Sequence, residues 1–224
     1  MSKDILITGY EPFGGDTTNP SLELAQALNG CRYKDYTFQF AKIPVNRHEC
    51  ISTMEKAINC FDPEIVICTG LAYGRASISL ERVAINVADF PWPDSAGYLA
   101  LNETIDAEGP AAYFSTLQIR NIMQSLHAEG VPAYISNSAG TYCCNLLMYG
   151  TLNYISKHHL NIKAGMINSV SSMNNSLKKA GISQISDAYG GEDIETIEHA
   201  AARAADIFTS SGRAVTIQDD ENIV

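Results

Sequence analysis

The chain has no run approaching the roughly twenty apolar residues of a membrane span, so a membrane-crossing helix is not expected. Its opening, Met1-Ser2-Lys3-Asp4, passes straight into Ile5-Leu6-Ile7 and meets Gly9, too short an apolar stretch for a secretory signal. The six cysteines, Cys31, Cys50, Cys60, Cys68, Cys143 and Cys144, form no C-x-x-C pair. No H-E-x-x-H and no Cys/His ligand spacing occurs either. A reduced, cytoplasmic protein with no metal and no cofactor is the expectation. Charge is sparse: charged residues are 18%, below the roughly 25% of an average soluble domain. This points either to surface covered by like subunits or to an apolar, helix-rich composition. What charge there is leans negative, 15 basic against 25 acidic residues for a net −10. That balance argues against nucleic-acid and anionic-membrane partners.

What the chain does have is core material. It is 224 residues long and 46% apolar, enough at this size to bury roughly 70% of the surface of the unfolded chain. Short β-branched runs alternate with helical spacing. Ile5 to Thr8, Tyr36 to Ile43, Ile65 to Cys68, Tyr134 to Ser136 and Ala164 to Asn168 read as strands; the third is wholly apolar, as in a sheet covered on both faces. Asn19-Pro20-Ser21 reads as a helix start, with Asn as cap, Pro in the first turn, and Leu22, Ala25 and Leu28 on one face. Further helices are predicted over Arg47 to Cys60, Ala111 to His127, Tyr142 to Ser156 and within Ser186 to Ser211, and Ser77 to Val87 reads as extended. The whole predicts one α/β domain over residues 1–216, a sheet that is mixed but mostly parallel and flanked by helices, followed by a loose acidic tail over 217–224. Loops outside strand carboxyl ends are where such folds place function, here Gly9 to Asp16, Thr69 to Glu81 and Asn137 to Asn145.

Three motifs carry chemistry. Gly9-Tyr10-Glu11-Pro12-Phe13-Gly14-Gly15 follows a strand but lacks the lysine and the spacing of a phosphate loop; a tight loop presenting Tyr10 and Phe13 to a small apolar pocket fits better. Ser136 to Asn145 runs from a strand into a helix and places Cys143 and Cys144 in the first turn. There, unpaired amides and the positive end of the helix lower a thiol's pKa and can hold an oxyanion. A buried small hydrophobe is the commoner use of such a cysteine. The two cysteines point about 100° apart and cannot do the same job. Glu81 lies among strand residues, and a salt bridge with Arg75 or Arg82 is its plain explanation. None of the histidines follows a strand end as an obvious base, although His48 follows the second strand.

Taken together, Ile7 to Ser21 (ITGYEPFGGDTTNPS), Gly74 to Asn86 (GRASISLERVAIN), Gly109 to Tyr113 (GPAAY) and Ser138 to Gly150 (SAGTYCCNLLMYG) resemble the pyroglutamyl peptidase I, or pyrrolidone-carboxylate peptidase, family of cysteine peptidases, in family order and over most of the chain. The resemblance implies an α/β/α sandwich of the phosphorylase/hydrolase-like kind, a homotetramer or homodimer, and release of N-terminal pyroglutamate from peptides by a Cys–His–Glu triad. Under it Cys144 is the nucleophile and Glu81 the carboxylate. Tyr10, Phe13, Asn19, Leu71, Tyr142 and Cys143 fall where the family builds its pocket for the lactam ring. The histidine does not carry over. Where the family has G-F-I-H-x-P, this chain reads Gly165-Met166-Ile167-Asn168-Ser169-Val170, and a polar run, Ser171 to Asn175, follows. Leu71 replaces a usual glutamine, and Asp16 stands where an aromatic can line the pocket.

Asparagine neither accepts a proton from a thiol nor delivers one to a leaving amine. The sequence therefore predicts a reactive Cys144 with severely reduced peptidase turnover. The alternative is a catalytically inactive homologue that binds a modified peptide N-terminus or acts through its oligomer.

Overall fold

A computed structural model describes residues 3–75 and 77–170. The predicted final helix, the polar run after Val170 and the acidic tail lie outside the described residues. In chain order the elements are β1 (Lys3–Tyr10), α1 (Pro20–Leu28), β2 (Arg32–Tyr33), β3 (Tyr36–Ile43), α2 (Cys50–Phe61), β4 (Ile65–Ala72), β5 (Ile78–Glu81), β6 (Val83–Ile85), β7 (Ala112–Phe114), α3 (Ile119–Ala128), β8 (Ala133–Ser136), α4 (Cys143–Lys157) and β9 (Lys163–Val170).

Seven strands form one sheet in the order β2-β3-β1-β4-β9-β5-β8. The four from β3 to β9 run parallel, whereas β5 and β8 run parallel to each other and antiparallel to β9. The sheet is thus mixed and mostly parallel, as the alternating pattern predicts. Burial follows from strand alternation. Leu6, Val66, Cys68, Ala164 and Met166 face α2 and α4 in one core, and Ile5, Ile7, Ile65, Ile67 and Leu80 face α1 and α3 in the other. β4 is buried without interruption from Ile65 to Gly70, the position its apolar run requires.

Local chemistry sets the helix starts. Asn19 caps α1 by accepting from the Ser21 amide at 3.1 Å, with Pro20 in the first turn. The buried face of α1 is Ser21, Leu24, Ala25 and Leu28; Leu22 is only half-buried, one step round the helix from the predicted stripe. The stretch from Ala111 is not helical throughout. Ala112–Phe114 pairs with Val83–Ile85 in a two-stranded ribbon, because aromatic Tyr113 and Phe114 suit a pleated surface, and α3 begins only at Ile119. No described helix is long and apolar enough to cross a membrane.

Strand sense also changes where the loops emerge. β1 and β4 end on one side of the sheet, but β8 runs the other way. The loop leading from β8 into α4 is tied to the β4–β5 connection through Arg75, which donates to the Ser138 carbonyl at 3.4 Å.

Candidate active site

The end of β1 is shaped by a close approach. A Cβ on Gly9 would stand 2.4 Å from the Ser21 carbonyl oxygen, so only glycine lets the start of α1 pack there. Next to it, Tyr10 is buried; its amide donates to Ser21 Oγ at 3.1 Å and its hydroxyl to the Cys143 carbonyl at 2.6 Å. Asn19, also buried, donates to the Glu11 carbonyl and accepts from Ser21 Oγ at 2.8 Å. Both residues therefore tie the loop to α1 and α4 rather than offering polar atoms to a ligand.

Phe13 reaches across to Tyr73 (ring centroids 5.8 Å) and Tyr142 (6.4 Å). Tyr142 also packs on Phe90 at 4.6 Å and Trp92 at 5.8 Å, and the Tyr73 hydroxyl bonds to Asp16. The result is an aromatic frame at the start of α4, with Trp92 half exposed at 51%. Leu71, near the end of β4, is half-buried.

Cys143 and Cys144 diverge as the helix geometry requires. Cys143 is 2% exposed and packs in the α2–α4 core, where burial pushes its thiol well up. Cys144 is only partly buried. Its sulfur lies beside Asn168: a Cβ built on Gly70 would meet Asn168 Oδ1 at 2.6 Å and Cys144 Sγ at 2.8 Å. Gly70 faces Asn168 in the β4–β9 register, and Asn168 faces Ser79 in the β9–β5 register. Period-2 alternation then puts Ser79 and Glu81 on the face of the sheet that α4 covers.

Glu81 is fully buried. Its Oε1 accepts from Arg75 Nη1 at 2.6 Å, Asn168 Nδ2 at 2.8 Å and Ser79 Oγ at 3.0 Å. Arg75, not Arg82, makes the salt bridge. Glu81 Oε2 and Asn168 Oδ1 are buried with no hydrogen-bond partner among the described residues.

The electrostatics differ from the sequence expectation. Burial, then the facing Glu81 carboxylate, push the Cys144 thiol up to about 12, with Arg75 opposing. A helix start is worth at most about 1 kcal/mol at ordinary sites, less than about one pKa unit, so desolvation outweighs it. The described histidines lie elsewhere. His48 is exposed against Tyr98 (4.6 Å), His127 bonds to the Ala133 carbonyl, and His158 stacks on Tyr154; His199 lies outside the described residues. Among the described residues, no group of three His, Cys, Asp or Glu side chains is placed to hold a metal ion.

Of the residues singled out from sequence, Cys144, Glu81 and Asn168 come together, with Phe13 and Tyr142 in the aromatic frame. Sequence reasoning missed Ser79, Gly70, Phe90 and Trp92. Ser79 was readable as the residue two before Glu81 on the same strand face; the other three depend on tertiary placement.

The family model described as pyroglutamyl peptidase matches residues 3–187. A pyrrolidone-carboxylate peptidase of Vibrio campbellii is 45% identical over 153 residues, 68% of this chain and 72% of that protein. One from Bacillus velezensis is 37% identical over 212 residues, covering 95% of this chain and 99% of its own length. The crystal structure of Bacillus amyloliquefaciens pyroglutamyl peptidase I superposes with a TM-score of 0.85 at 35% identity, over 93% of this chain and 97% of that one.

Proposed function

Since the chain belongs to the pyroglutamyl peptidase family, we propose that its site is a pyroglutamyl-peptide thiol site in which Cys144 is the nucleophile and Asn168 stands in place of the catalytic histidine. On this reading Tyr10, Phe13, Asn19, Leu71, Tyr142 and Cys143 build the lactam-ring pocket, Tyr10 and Asn19 by fixing its loop and Phe13 and Tyr142 by lining it. The first-turn amides of α4 have no intrahelical acceptors and suit the oxyanion formed when sulfur adds to the pyroglutamyl carbonyl. Collapse of that adduct must protonate the departing amine. Asn168 has no proton to exchange, and losing general acid–base help typically costs 10²–10⁴-fold. The expected protein is therefore a cytoplasmic homotetramer or homodimer that recognises pyroglutamyl peptides and cleaves them slowly.

The observation that carries this reading is the 2.8 Å bond from Asn168 Nδ2 to Glu81 Oε1, made by a side chain that also borders the Cys144 sulfur. The test is release of a fluorescent amine from a pyroglutamyl arylamide. Wild-type protein should turn over at least 100-fold slower than the Asn168→His variant, and Cys144→Ala should abolish both activities. Wild-type turnover at ordinary enzyme rates, or no gain in Asn168→His, contradicts it.

A second reading, an inactive homologue that binds a modified peptide N-terminus, is favoured by the raised Cys144 thiol. It predicts calorimetric binding of a pyroglutamyl peptide that Cys144→Ser leaves intact, with no product formed by the wild type.

A further inference from the structure

Resting on the reading of Cys144 as the nucleophile, we propose that Asn168 is a one-way lock that keeps this sulfur protonated, because Glu81 orients the amide so that an acceptor and not a donor meets the thiol. The orientation follows from hydrogen-bond inventory. A carboxylate next to Arg75 accepts and does not donate, and an amide has one donating and one accepting end. Glu81 Oε1 receives Asn168 Nδ2 at 2.8 Å, with Arg75 and Ser79 bonded to the same oxygen. Turning the amide over would set Asn168 Oδ1 against that oxygen, two buried acceptors face to face, and the desolvation of both would go uncompensated.

With the donor end committed, Oδ1 is what remains for Cys144. It is buried, it has no hydrogen-bond partner among the described residues, and it lies on the same side of Gly70 as Sγ, where a Cβ would come within 2.6 Å of the oxygen and 2.8 Å of the sulfur. A carbonyl oxygen accepts from S–H and repels S⁻. The titratable and charged groups acting on Cys144 are Glu81 from β5, which opposes the thiolate, and Arg75 from the β4–β5 connection, which favours it. Tyr10 of β1, Cys50 of α2, Cys68 of β4 and Cys143 of α4 are coupled to the sulfur as neutral or acidic neighbours. Among the described groups acting on it, Arg75 is the one cation, and it is held by Glu81. The same glutamate that would orient an imidazole in a Cys–His–Glu triad here orients an amide, with the opposite effect on the nucleophile.

The lock is read by alkylation of the full-length protein with iodoacetamide across pH 6 to 10.5, following the Cys144 peptide by mass spectrometry. Sulfur displaces iodide, a C–S bond replaces C–I, and the thiol proton passes to solvent. Wild-type protein should show a rate still rising at the highest pH. Asn168→Ala, which removes the oxygen, should react at least tenfold faster at pH 7.5, with its midpoint at least one pH unit lower; Asn168→Ser, which puts a hydroxyl able to donate in place of the carboxamide, should do the same, so that misfolding of one variant leaves the other to decide. A smaller rise or an unmoved midpoint in folded variants overturns the proposal. The two ideas fail separately. A gain of amidase activity in Asn168→His with no midpoint shift in Asn168→Ala sinks the lock alone; a shifted midpoint with no gain sinks the peptidase reading alone.

Discussion

Gly70 on β4 stands directly opposite Asn168 on β9 in a parallel register, and the asparagine oxygen and the Cys144 sulfur both border the space that its missing side chain leaves. Both neighbours are constrained: Asn168 by its bond to Glu81, Cys144 by the first turn of α4.

A methyl group at that point would lie 2.6 Å from Asn168 Oδ1 and 2.8 Å from Cys144 Sγ. Gly70→Ala is expected to destabilise the fold by about 1–3 kcal/mol, the usual range for overpacking. Removing the obstructing amide in Gly70→Ala/Asn168→Ala should recover part of that loss, since residues in contact couple. Urea titration of the two single variants and the double variant measures the coupling; strict additivity would contradict the geometry.

Arg75→Met leaves the fully buried Glu81 with two donors in place of three and no cation. Breaking a buried pair by removing one partner costs about 3–5 kcal/mol. The guanidinium here is 29% exposed, so the lower end of that range is expected, measured as a shift of the urea midpoint at neutral pH. Because Arg75 draws the Cys144 thiol down, alkylation of Cys144 at pH 9 should also be slower in Arg75→Met. A faster reaction would mean that Arg75 acts on the sulfur by some other route.

Asp106 anchors the segment between β6 and β7. It accepts from Lys157 Nζ at 2.5 Å, Asn153 Nδ2 at 2.6 Å and the Glu108 amide at 3.0 Å. These bonds, Lys157 first, hold its carboxyl at about 2, against roughly 3.9 in an unfolded chain. The folded value is depressed, so this contribution is complete above about pH 4 and is lost as the pH falls through about 2. Asp106→Asn should lower the melting temperature at pH 7 and flatten its decline between about pH 4 and pH 2. Parallel acid limbs for the two proteins would contradict the assignment.

Much of the frame is legible in the amino-acid order, and the reasons are local. The apolar run Ile65 to Cys68 fits only a strand covered on both sides, and Asn19-Pro20 specifies a helix start by hydrogen bonding and ring geometry alone. Cys144 at a helix start and Glu81 on a strand are visible for the same reason. Their meeting with Asn168 is not, because it depends on β5 running against β9, a reversal that no local pattern encodes. The direction of the Cys144 shift was hidden too: a helix terminus is a property of sequence, whereas burial beside a carboxylate is a property of the assembled sheet. Phe90 and Trp92 lie in a loop without periodicity, and only their packing on Tyr142 places them near the site.

The strand that carries Asn168 also governs the order in which the molecule can be put together. β9 alone joins the β3-β1-β4 half of the main sheet to the β5-β8 pair, and it is the last of the described strands to leave the ribosome. Until it arrives, the β5-β8 pair, backed by α3, has no strand of the other half to pair with, and so small a unit is marginally stable in water. Closure over so long a stretch of chain is slow. The nascent polypeptide must therefore keep an unfinished sheet edge out of aggregation until its final described strand has been translated.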